Sequence, residues 1–391
     1  MKLGPKLRRI FSRLTESGRK FSVAVDYLKW LIFDPSKYKI IKTDNIDSLL
    51  FLLMNKEKGN VGGNFCVLGV LNHFKKEFPH VRVVILGDKN TINQFGHVPD
   101  IEMIEYKGES TLRYVRKQNF KAMVCYDMYE NEIKDFMNIP YRVILASPTI
   151  WDIFKIRNSF FFTRKAFYVW GKTHMVDFTF KLLEVLGFKF KQKGLVFYSS
   201  KKEELKVDSF LKKNKIKRYV ILHPGGKYMV ETLQRGKWPP HLWPLDRYAA
   251  VANHFAKKGY KILVTGTKEE NYLAEQINKL SGSKIISCCG KFSIRESAVL
   301  VKKSKLLIAT DTSIVHIAYQ VKAPIVDLIG PTCPEVIGPW PINSKRHSML
   351  VDHGSCSRSM KKIECPEDIV CLENITVNDV ISASEKKLKI N

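Results

Sequence analysis

Short apolar runs alternate with amphipathic stretches along most of this chain, and the alternation predicts strands covered by helices. In the first half the predicted strands are 48–54, 81–86, 122–126 and 142–146, and a turn is predicted at 87–90 after the second of them. The predicted helices there are one that follows the glycine-rich turn 58–64 and ends near Phe78, and those at 112–119, 129–137 and 173–186. Strands that alternate with helices indicate a parallel sheet with helices on both faces.

A second series of the same kind follows a charged helical segment at 201–218. Its predicted strands are 219–223, 261–265, 284–287, 305–309 and 325–329, and its predicted helices are 244–258, 268–280, 294–302 and 313–320. A chain of 391 residues also exceeds the size of one ordinary domain. We therefore predict an α/β fold with an N-terminal domain at 36–205, a C-terminal domain at 215–375 and a final helix within 376–391.

The balance of charges predicts an anionic partner. Lysine and arginine outnumber aspartate and glutamate by 65 to 38, which gives a net charge of +27. Nucleic acid, anionic lipid, a nucleotide and a phosphorylated glycan all fit this charge. The sequence contains no zinc finger, RNP motif or helix-turn-helix signature, so we expect no nucleic-acid partner.

A basic leader at 1–35 has two interpretations. Residues 1–30 carry eight basic side chains interleaved with apolar ones. The segment is either an amphipathic helix for an anionic membrane surface or a solvated helix packed on the body of the protein. No apolar run reaches the roughly 20 residues that span a bilayer, and no signal-peptide core is present. We expect a cytoplasmic protein, in peripheral contact with a membrane under the first interpretation.

The eight cysteines fit reduced thiols of a cytosolic protein, but three of them lie close together near the end of the chain. These are Cys356, Cys365 and Cys371, and a fourth zinc ligand would have to be Cys333, His347 or His353. Their spacing lacks the paired C-x2-C form of a structural zinc site. We predict no metal and no cofactor.

Polar residues that follow predicted strands of the second half indicate a phosphate site. Asp311, Thr312 and Ser313 come between the strand 305–309 and a short helix. Ligands settle at the carboxyl ends of strands in an open parallel sheet, and free N–H groups at a helix start attract anions. This arrangement suits a phosphate or a diphosphate.

Two further segments point to the same edge of the sheet. Gly225, Gly226 and Lys227 follow the strand 219–223, and Lys237 lies shortly after them. The glycines either let backbone N–H groups approach an anion or form an ordinary turn. Lys237 taken alone fits a solvated surface lysine better than a phosphate ligand, and only its neighbours suggest the second role. No P-loop or dinucleotide-binding glycine motif is present.

The order of these motifs resembles glycosyltransferase family 9, the bacterial lipopolysaccharide heptosyltransferases. The motifs are His223-Pro-Gly-Gly, Lys237-Trp-Pro, Thr265-Gly-Thr, Cys289-Gly-Lys-Phe-Ser, Asp311-Thr-Ser-Ile-Val-His and Ile329-Gly-Pro-Thr. The resemblance covers about residues 48–380. It implies a GT-B fold, in which two Rossmann-like domains with parallel sheets face a central cleft.

That resemblance also implies an activity. The family transfers a sugar with inversion from a nucleotide diphosphate donor, usually ADP-heptose, bound by the C-terminal domain. The acceptor is a lipopolysaccharide core or a related anionic glycolipid bound by the N-terminal domain, at the inner face of the bacterial inner membrane. We expect no metal in this reaction.

Roles for single residues follow from the same resemblance. Lys237 would contact the donor phosphate, and backbone groups around Thr312 and Ser313 would hold the diphosphate. Two assignments have alternatives, because Asp311 faces the donor sugar or only caps a helix, and His316 contacts phosphate or is a core histidine. The loop at Phe292 and Ser293 would border the adenine.

The sequence departs from the family pattern at two positions. The usual Asp that serves as general base is replaced by Asn60, whose amide cannot take up a proton at neutral pH. Ser313 stands where the family often has glycine. Asp88 and Asp127 each follow a predicted strand and are substitute bases or simple caps. A catalytically weak protein that only binds a nucleotide sugar or glycan is therefore the alternative function.

Overall fold

The computed structural model describes most of the chain beyond residue 44. The described residues are 45–53, 61–96, 98–125, 136, 138–146, 164–167, 173–239, 241–352 and 371–389. The predicted leader at 1–35 and most of the predicted helix at 129–137 lie outside them. Within the described residues, no helix is both long and apolar enough to cross a membrane.

The first half contributes six strands and five helices to the described structure. The strands are β1 (Ser48–Leu53), β2 (Arg82–Gly87), β3 (Ile101–Glu105), β4 (Ala122–Cys125), β5 (Tyr141–Ala146) and β6 (Arg164–Phe167). The helices are α1 (Val61–Glu77), α2 (Lys89–Phe95), α3 (Glu109–Arg116), α4 (Met175–Val185) and α5 (Lys201–Lys213).

The second half contributes six strands and seven helices to the described structure. Its strands are β7 (Tyr219–His223), β8 (Lys261–Val264), β9 (Ile285–Ser287), β10 (Leu306–Thr310), β11 (Ile325–Ile329) and β12 (His347–Val351). Its helices are α6 (Lys227–Gln234), α7 (Leu245–Lys257), α8 (Asn271–Leu280), α9 (Ile294–Lys303), α10 (Ser313–Gln320), α11 (Pro334–Ile337) and α12 (Val377–Leu388).

The two six-stranded sheets have the same topology. The strand order is β3-β2-β1-β4-β5-β6 in the first sheet and β12-β11-β10-β7-β8-β9 in the second, and every pairing is parallel. Counted from its own first strand, each sheet follows the doubly wound order 3-2-1-4-5-6. The order reverses between β1 and β4 in one sheet and between β7 and β10 in the other. Ligand crevices are expected at these two switch points.

Burial explains why the central strands are continuous apolar runs. All six residues of β1 and all five of β10 and β11 are buried, because helices cover both faces of each sheet. The final helix α12 packs against α7, β10, β11 and β12, so it belongs to the second sheet. Helix α5 joins the two halves, as predicted for 201–218, although it ends at Lys213.

Two predicted turns are helical in the structure. Helix α1 begins at Val61, so Gly62 and Gly63 lie inside its first turn and do not form the predicted turn. Helix α2 occupies Lys89–Phe95, where the polar residues after β2 predicted only a turn. In both places the turn-forming residues form the cap or the first turn of a helix. Short polar and glycine-rich segments occur at helix starts as well as in true turns, so the local sequence does not distinguish the two.

The strands that the sequence pattern missed all lie at sheet edges. These are β3, β6 and β12. An edge strand is paired on one side only and partly exposed, so β3 contains glutamates and β12 is mostly half-buried. A strand of this kind lacks the continuous apolar run from which the central strands were predicted.

Candidate functional site

The switch point of the second sheet brings together two turns. One follows β7 and contains Pro224, and the other follows β10. The hydroxyl of Thr310, the last residue of β10, donates a 3.1 Å hydrogen bond to the carbonyl oxygen of Pro224. Strands β7 and β10 are direct neighbours in the sheet. The turns that lead into α6 and α10 are therefore adjacent at the carboxyl edge.

The start of helix α10 is open to an additional acceptor. Thr312 is the N-cap residue, but its side chain makes no cap bond to the first turn. Among the described residues nothing hydrogen-bonds its hydroxyl oxygen, although that atom is buried. The first N–H groups of a helix need an acceptor, and the helix dipole favours an anion there. Ser313 begins this helix, as the sequence predicted.

Helix α6 starts beside it in a similar way. Gly226 is the N-cap residue and offers no side chain to the first turn. A Cβ atom on Gly225 would lie 1.9 Å from the sulfur of Met229, so a side chain at this position would collide with α6. The side chain of Lys227 lies outside the described part of the chain. Two helix starts therefore converge on one point of the sheet edge.

A pair of acidic residues lies beneath the start of α10. Burial raises the pKa of Asp311 to about 6, while the hydroxyl of Thr332 counteracts this rise. Asp327 is fully buried in β11, and burial followed by the charge of Asp311 raises its pKa well above the ordinary value. No described residue hydrogen-bonds either carboxyl oxygen of Asp327. Burial therefore favours the protonated form of Asp327 at a higher pH than is usual for a carboxyl group.

Two more residues complete this edge: His223 belongs to a segment that the sequence predicted there, whereas sequence reasoning missed Glu270 as a neighbour of the site. His223 at the end of β7 contacts the hydroxyl of Thr265 through Nδ1 at 3.0 Å, and burial lowers its pKa to about 4. Glu270 is nearly buried and accepts a 2.9 Å bond from the backbone N–H of Thr267. A Cβ atom on Gly226 would lie 4.0 Å from its Oε1. Glu269-Glu270, which only Lys268 separates from the Thr265-Gly-Thr motif, was the available signal.

This arrangement is accompanied by a direct match to a known family. The model of glycosyltransferase family 9 (heptosyltransferase) matches residues 153–369, just over half of the chain. The chain belongs to glycosyltransferase family 9. Membership supports transferase activity, and the expectation drawn from the motifs is confirmed.

Sequence relatives of this family 9 chain are distant. Lipopolysaccharide heptosyltransferase 3 of Escherichia coli strain K12 is 22% identical over 339 residues, which cover 82% of this chain and 93% of that protein. Lipooligosaccharide heptosyltransferase 2 of Haemophilus influenzae is 27% identical over 105 residues. That match covers 26% of this chain and only 30% of the relative.

Solved structures of family 9 proteins share the fold. A family 9 glycosyl transferase from Veillonella parvula has a TM-score of 0.69 at 20% identity, over 88% of this chain and 98% of its own. An Escherichia coli heptosyltransferase solved with ADP has a TM-score of 0.62 at 14% identity, over 87% and 99%. The two parallel α/β sheets form a GT-B fold, as predicted.

The predicted adenine loop has structural contacts of its own in this family 9 chain. Ser293 is the N-cap of α9, where its hydroxyl accepts from the N–H of Glu296 and the Glu296 side chain accepts in return from the Ser293 N–H. The ring of Phe292 packs edge-on against Phe210 of α5, at 5.1 Å between centroids. Contact of this loop with adenine stays a prediction.

The structure favours the core-histidine interpretation of His316. This residue is 7% exposed, and burial together with nearby His174 lowers its pKa to about 3. Its Nδ1 atom lies 3.1 Å from the hydroxyl of Tyr319. A neutral, buried imidazole cannot supply positive charge to a phosphate, so His316 is not suited to an ionic contact with the donor.

Of the two candidate bases, the structure describes only Asp88. Its carboxylate caps α2 by accepting bonds from the N–H groups of Asn90 and Thr91 and from the Thr91 hydroxyl. This supports the interpretation of Asp88 as a cap. Asp127 and Asn60 lie outside the described residues, and the assignment of the base stays a prediction.

Lys237 and the cysteines remain to be placed. Lys237 is exposed after α6, where its N–H donates a 3.2 Å bond to the carbonyl of Thr232. Cys371 is buried and is not part of a disulfide between described residues, whereas Cys356 and Cys365 lie outside the described residues. In the part that the structure describes, no three His, Cys, Asp or Glu side chains are placed to share a metal ion.

Proposed function

We propose that this chain is an inverting glycosyltransferase that moves a heptose from ADP-heptose to a lipopolysaccharide core or a related anionic glycan. One observation carries the proposal: two uncapped helix starts, those of α6 and α10, meet at the switch point of the second sheet. Such a point is suited to a diphosphate. The similar Escherichia coli structures with ADP and with an ADP-heptose analogue support the choice of nucleotide and sugar.

The reaction requires charge stabilisation and a base. The acceptor hydroxyl attacks the anomeric carbon, the bond from that carbon to the phosphate oxygen breaks, and ADP leaves with the electron pair. The N–H groups at the start of α10 and the ammonium group of Lys237 stabilise the charge that develops on the diphosphate. Lys227 has the same proposed part.

The donor sugar and nucleoside have proposed neighbours at the same edge. Asp311 faces the donor sugar, Thr312 and Ser313 hold the diphosphate, and Gly225 and Gly226 let it approach the backbone. The loop at Phe292 and Ser293 borders the adenine. Glu270, a carboxylate beside Gly226, can accept hydrogen bonds from hydroxyl groups.

Asp127 is the proposed base, since the oxygens of Asp88 are engaged in capping. A general base contributes roughly 10²- to 10⁴-fold to a rate. We expect Asp127→Asn to lower turnover by a factor in that range and to leave ADP affinity unchanged. Asp88→Asn serves as the matched comparison. We expect it to act mainly on thermal stability, with a smaller effect on turnover than Asp127→Asn has. Wild-type turnover in Asp127→Asn would exclude the assignment.

The binding-only alternative rests on Asn60 in place of the usual acid. Purified full-length protein incubated with ADP-heptose and a heptose-deficient core glycolipid decides between the two functions. We expect a product heavier by one heptose unit in the mass spectrum, together with release of ADP. Saturable ADP-heptose binding without any product would favour the binding protein. The enzyme proposal also includes peripheral contact with a membrane through the basic leader at 1–35.

A further inference from the structure

Helix α1 of the first half and helix α10 of the second half lie directly against each other. Three contacts connect them: Gly62 with His316, Cys66 with Tyr319, and Gly69 with Gln320. The contacting residues follow one another in the same direction along both helices, over about two turns of α1 and about one turn of α10. The two helices therefore run side by side in parallel, and both begin at the same end of the contact.

Two glycines make this close approach possible. A Cβ atom on Gly62 would lie 2.2 Å from Cδ2 of His316, and one on Gly69 would lie 2.1 Å from Nε2 of Gln320. These distances are far below van der Waals contact. The side chains of α10 thus occupy the space that side chains of α1 would otherwise fill, so the spacing of the helices is fixed.

A buried chain of neutral polar groups crosses the same contact. The hydroxyl of Tyr319 lies 2.7 Å from the sulfur of Cys66 and 3.1 Å from Nδ1 of His316. Burial raises the pKa of Cys66 to about 12, so its thiol keeps the proton. All three groups are hydrogen-bonded when the Cys66 thiol donates to the Tyr319 oxygen and the Tyr319 hydroxyl donates to the His316 imidazole. Because these groups are buried and uncharged, salt does not screen the hydrogen bonds between them.

Gln320 provides a second link, which extends to a third segment. Its Nε2 atom donates to the carbonyl oxygen of Phe65 in α1 at 3.2 Å and to that of Val196 at 3.4 Å. The carbonyl of Val196 also accepts a 3.0 Å bond from Asn72 of α1. One amide at the end of α10 therefore holds α1 and the segment around Val196 in a fixed arrangement.

We propose that Tyr319 and Gln320 are positioning residues through which the donor half fixes the start of α1. Ser313, at the start of α10, belongs to the proposed diphosphate site, and α1 begins one residue after Asn60. Because both helices begin at the same end, α10 sets the start of α1 against the donor site. The effect on the donor site rests on the proposed function. The mechanical link between α1 and α10 rests only on the contacts between the two helices.

The mechanical link is tested without any ligand by hydrogen–deuterium exchange of full-length protein. Tyr319→Phe keeps the ring and removes the hydroxyl, and Gln320→Leu keeps the volume and removes two bonds. Each variant loses one hydrogen bond to α1 itself, from Tyr319 to Cys66 or from Gln320 to Phe65, and one lost bond of ~1 kcal/mol is expected to speed amide exchange in α1 about fivefold. Unchanged exchange in α1 in both variants would overturn the inference.

Tyr219→Phe is the matched control. Its hydroxyl is buried and donates a 2.7 Å bond to the carbonyl of Leu300, and both residues belong to the second half. This variant is expected to leave exchange in α1 at the wild-type rate. Equal acceleration of α1 in the control would mean that any buried hydroxyl has the same effect, which contradicts a specific role for Tyr319.

Added ADP then separates the inference from the proposed function. In wild type we expect ADP to slow exchange in both α10 and α1. In Tyr319→Phe we expect slower exchange in α10 alone, with an ADP affinity within twofold of wild type. Persistent protection of α1 in this variant would overturn the coupling. Absence of ADP binding by wild type would contradict the proposed function, and the ligand-free comparison would still decide the link.

Discussion

The hydroxyl of Thr310 donates a 3.1 Å hydrogen bond to the carbonyl oxygen of Pro224, and this bond joins the two turns of the proposed diphosphate site. Thr310 is 1% exposed, so water does not compete for the bond. The turn after β7 and the turn after β10 are held in one arrangement before any ligand arrives. An anion site of this kind is preorganised, which strengthens its interactions with charge.

Thr310→Val should weaken ADP binding because it removes this bond and leaves the Pro224 carbonyl buried without it. We expect about a fivefold loss of ADP affinity by calorimetry and a loss of ~1 to 3 kcal/mol in the free energy of unfolding. Thr179→Val is the control, since Thr179 is a buried threonine of α4 whose hydroxyl bonds the carbonyl of Met175. Equal ADP affinities in the two variants would contradict the role of Thr310.

Gly62→Ala should lower thermal stability because its new methyl group overlaps the His316 ring. Overpacking of this kind costs ~1 to 3 kcal/mol. His316→Ala removes the ring and is destabilising by itself. The double variant should be less destabilised than the sum of the single ones, with a coupling above ~0.5 kcal/mol in urea unfolding. Additive effects would show that the two positions do not touch.

The glycines of α1 show where sequence reasoning stopped. Gly62 and Gly63 predicted a turn from local preference alone, whereas the structure places them in a helix. The cause at Gly62 is a residue 254 positions later in the chain, His316, which needs the space. A requirement set by such a distant residue leaves no trace in the local pattern. Strands β1, β10 and β11 were predictable because burial on both faces makes them continuously apolar.

The site was predicted to a similar extent. The strand ends, the helix start at Ser313 and the glycines after β7 follow from local turn and cap preferences, and the structure brings these segments together. The proximity of Glu270 to Gly226 could not be predicted in this way, because it depends on how α8 packs beside α6. Similarly, Asp327 fits an ordinary strand position in the sequence, and only its burial in the structure reveals a carboxyl group with a raised pKa.

Asp327→Asn should stabilise the protein increasingly as the pH rises. The pKa of the buried carboxyl group is raised in the folded state, so its contribution to stability is present at low pH and is lost as the pH rises above its ordinary value of 3.8. Asparagine has no proton to lose. Relative to wild type, the free energy of unfolding of the variant should increase between pH 5 and pH 7.5, by at most about 1.4 kcal/mol per pH unit. A pH-independent difference in urea unfolding would contradict the raised pKa of Asp327.

Arg295→Lys should destabilise the contact between the halves. The buried guanidinium group bonds Glu203 at 2.6 Å, the Phe95 carbonyl at 2.7 Å and the Tyr198 carbonyl at 2.6 Å. A lysine ammonium cannot reproduce this planar set of donors. We expect a loss of about 3 kcal/mol in the free energy of unfolding. The control is Arg82→Lys, where the arginine is 40% exposed and pairs with Glu102, with an expected loss below ~1 kcal/mol. Similar losses in both variants would be evidence against the role of burial.

Calorimetric titration of the full-length protein with ADP tests the central claim most directly. The account predicts saturable binding of one ADP per chain, weakened at least about tenfold in Lys237→Ala, which corresponds to ~1.4 kcal/mol for a charge-assisted contact. The control Lys279→Ala removes an exposed lysine from the last turn of α8 and should bind as wild type does. Folded protein that shows no saturable heat with ADP, or equal weakening by the two variants, would contradict the account.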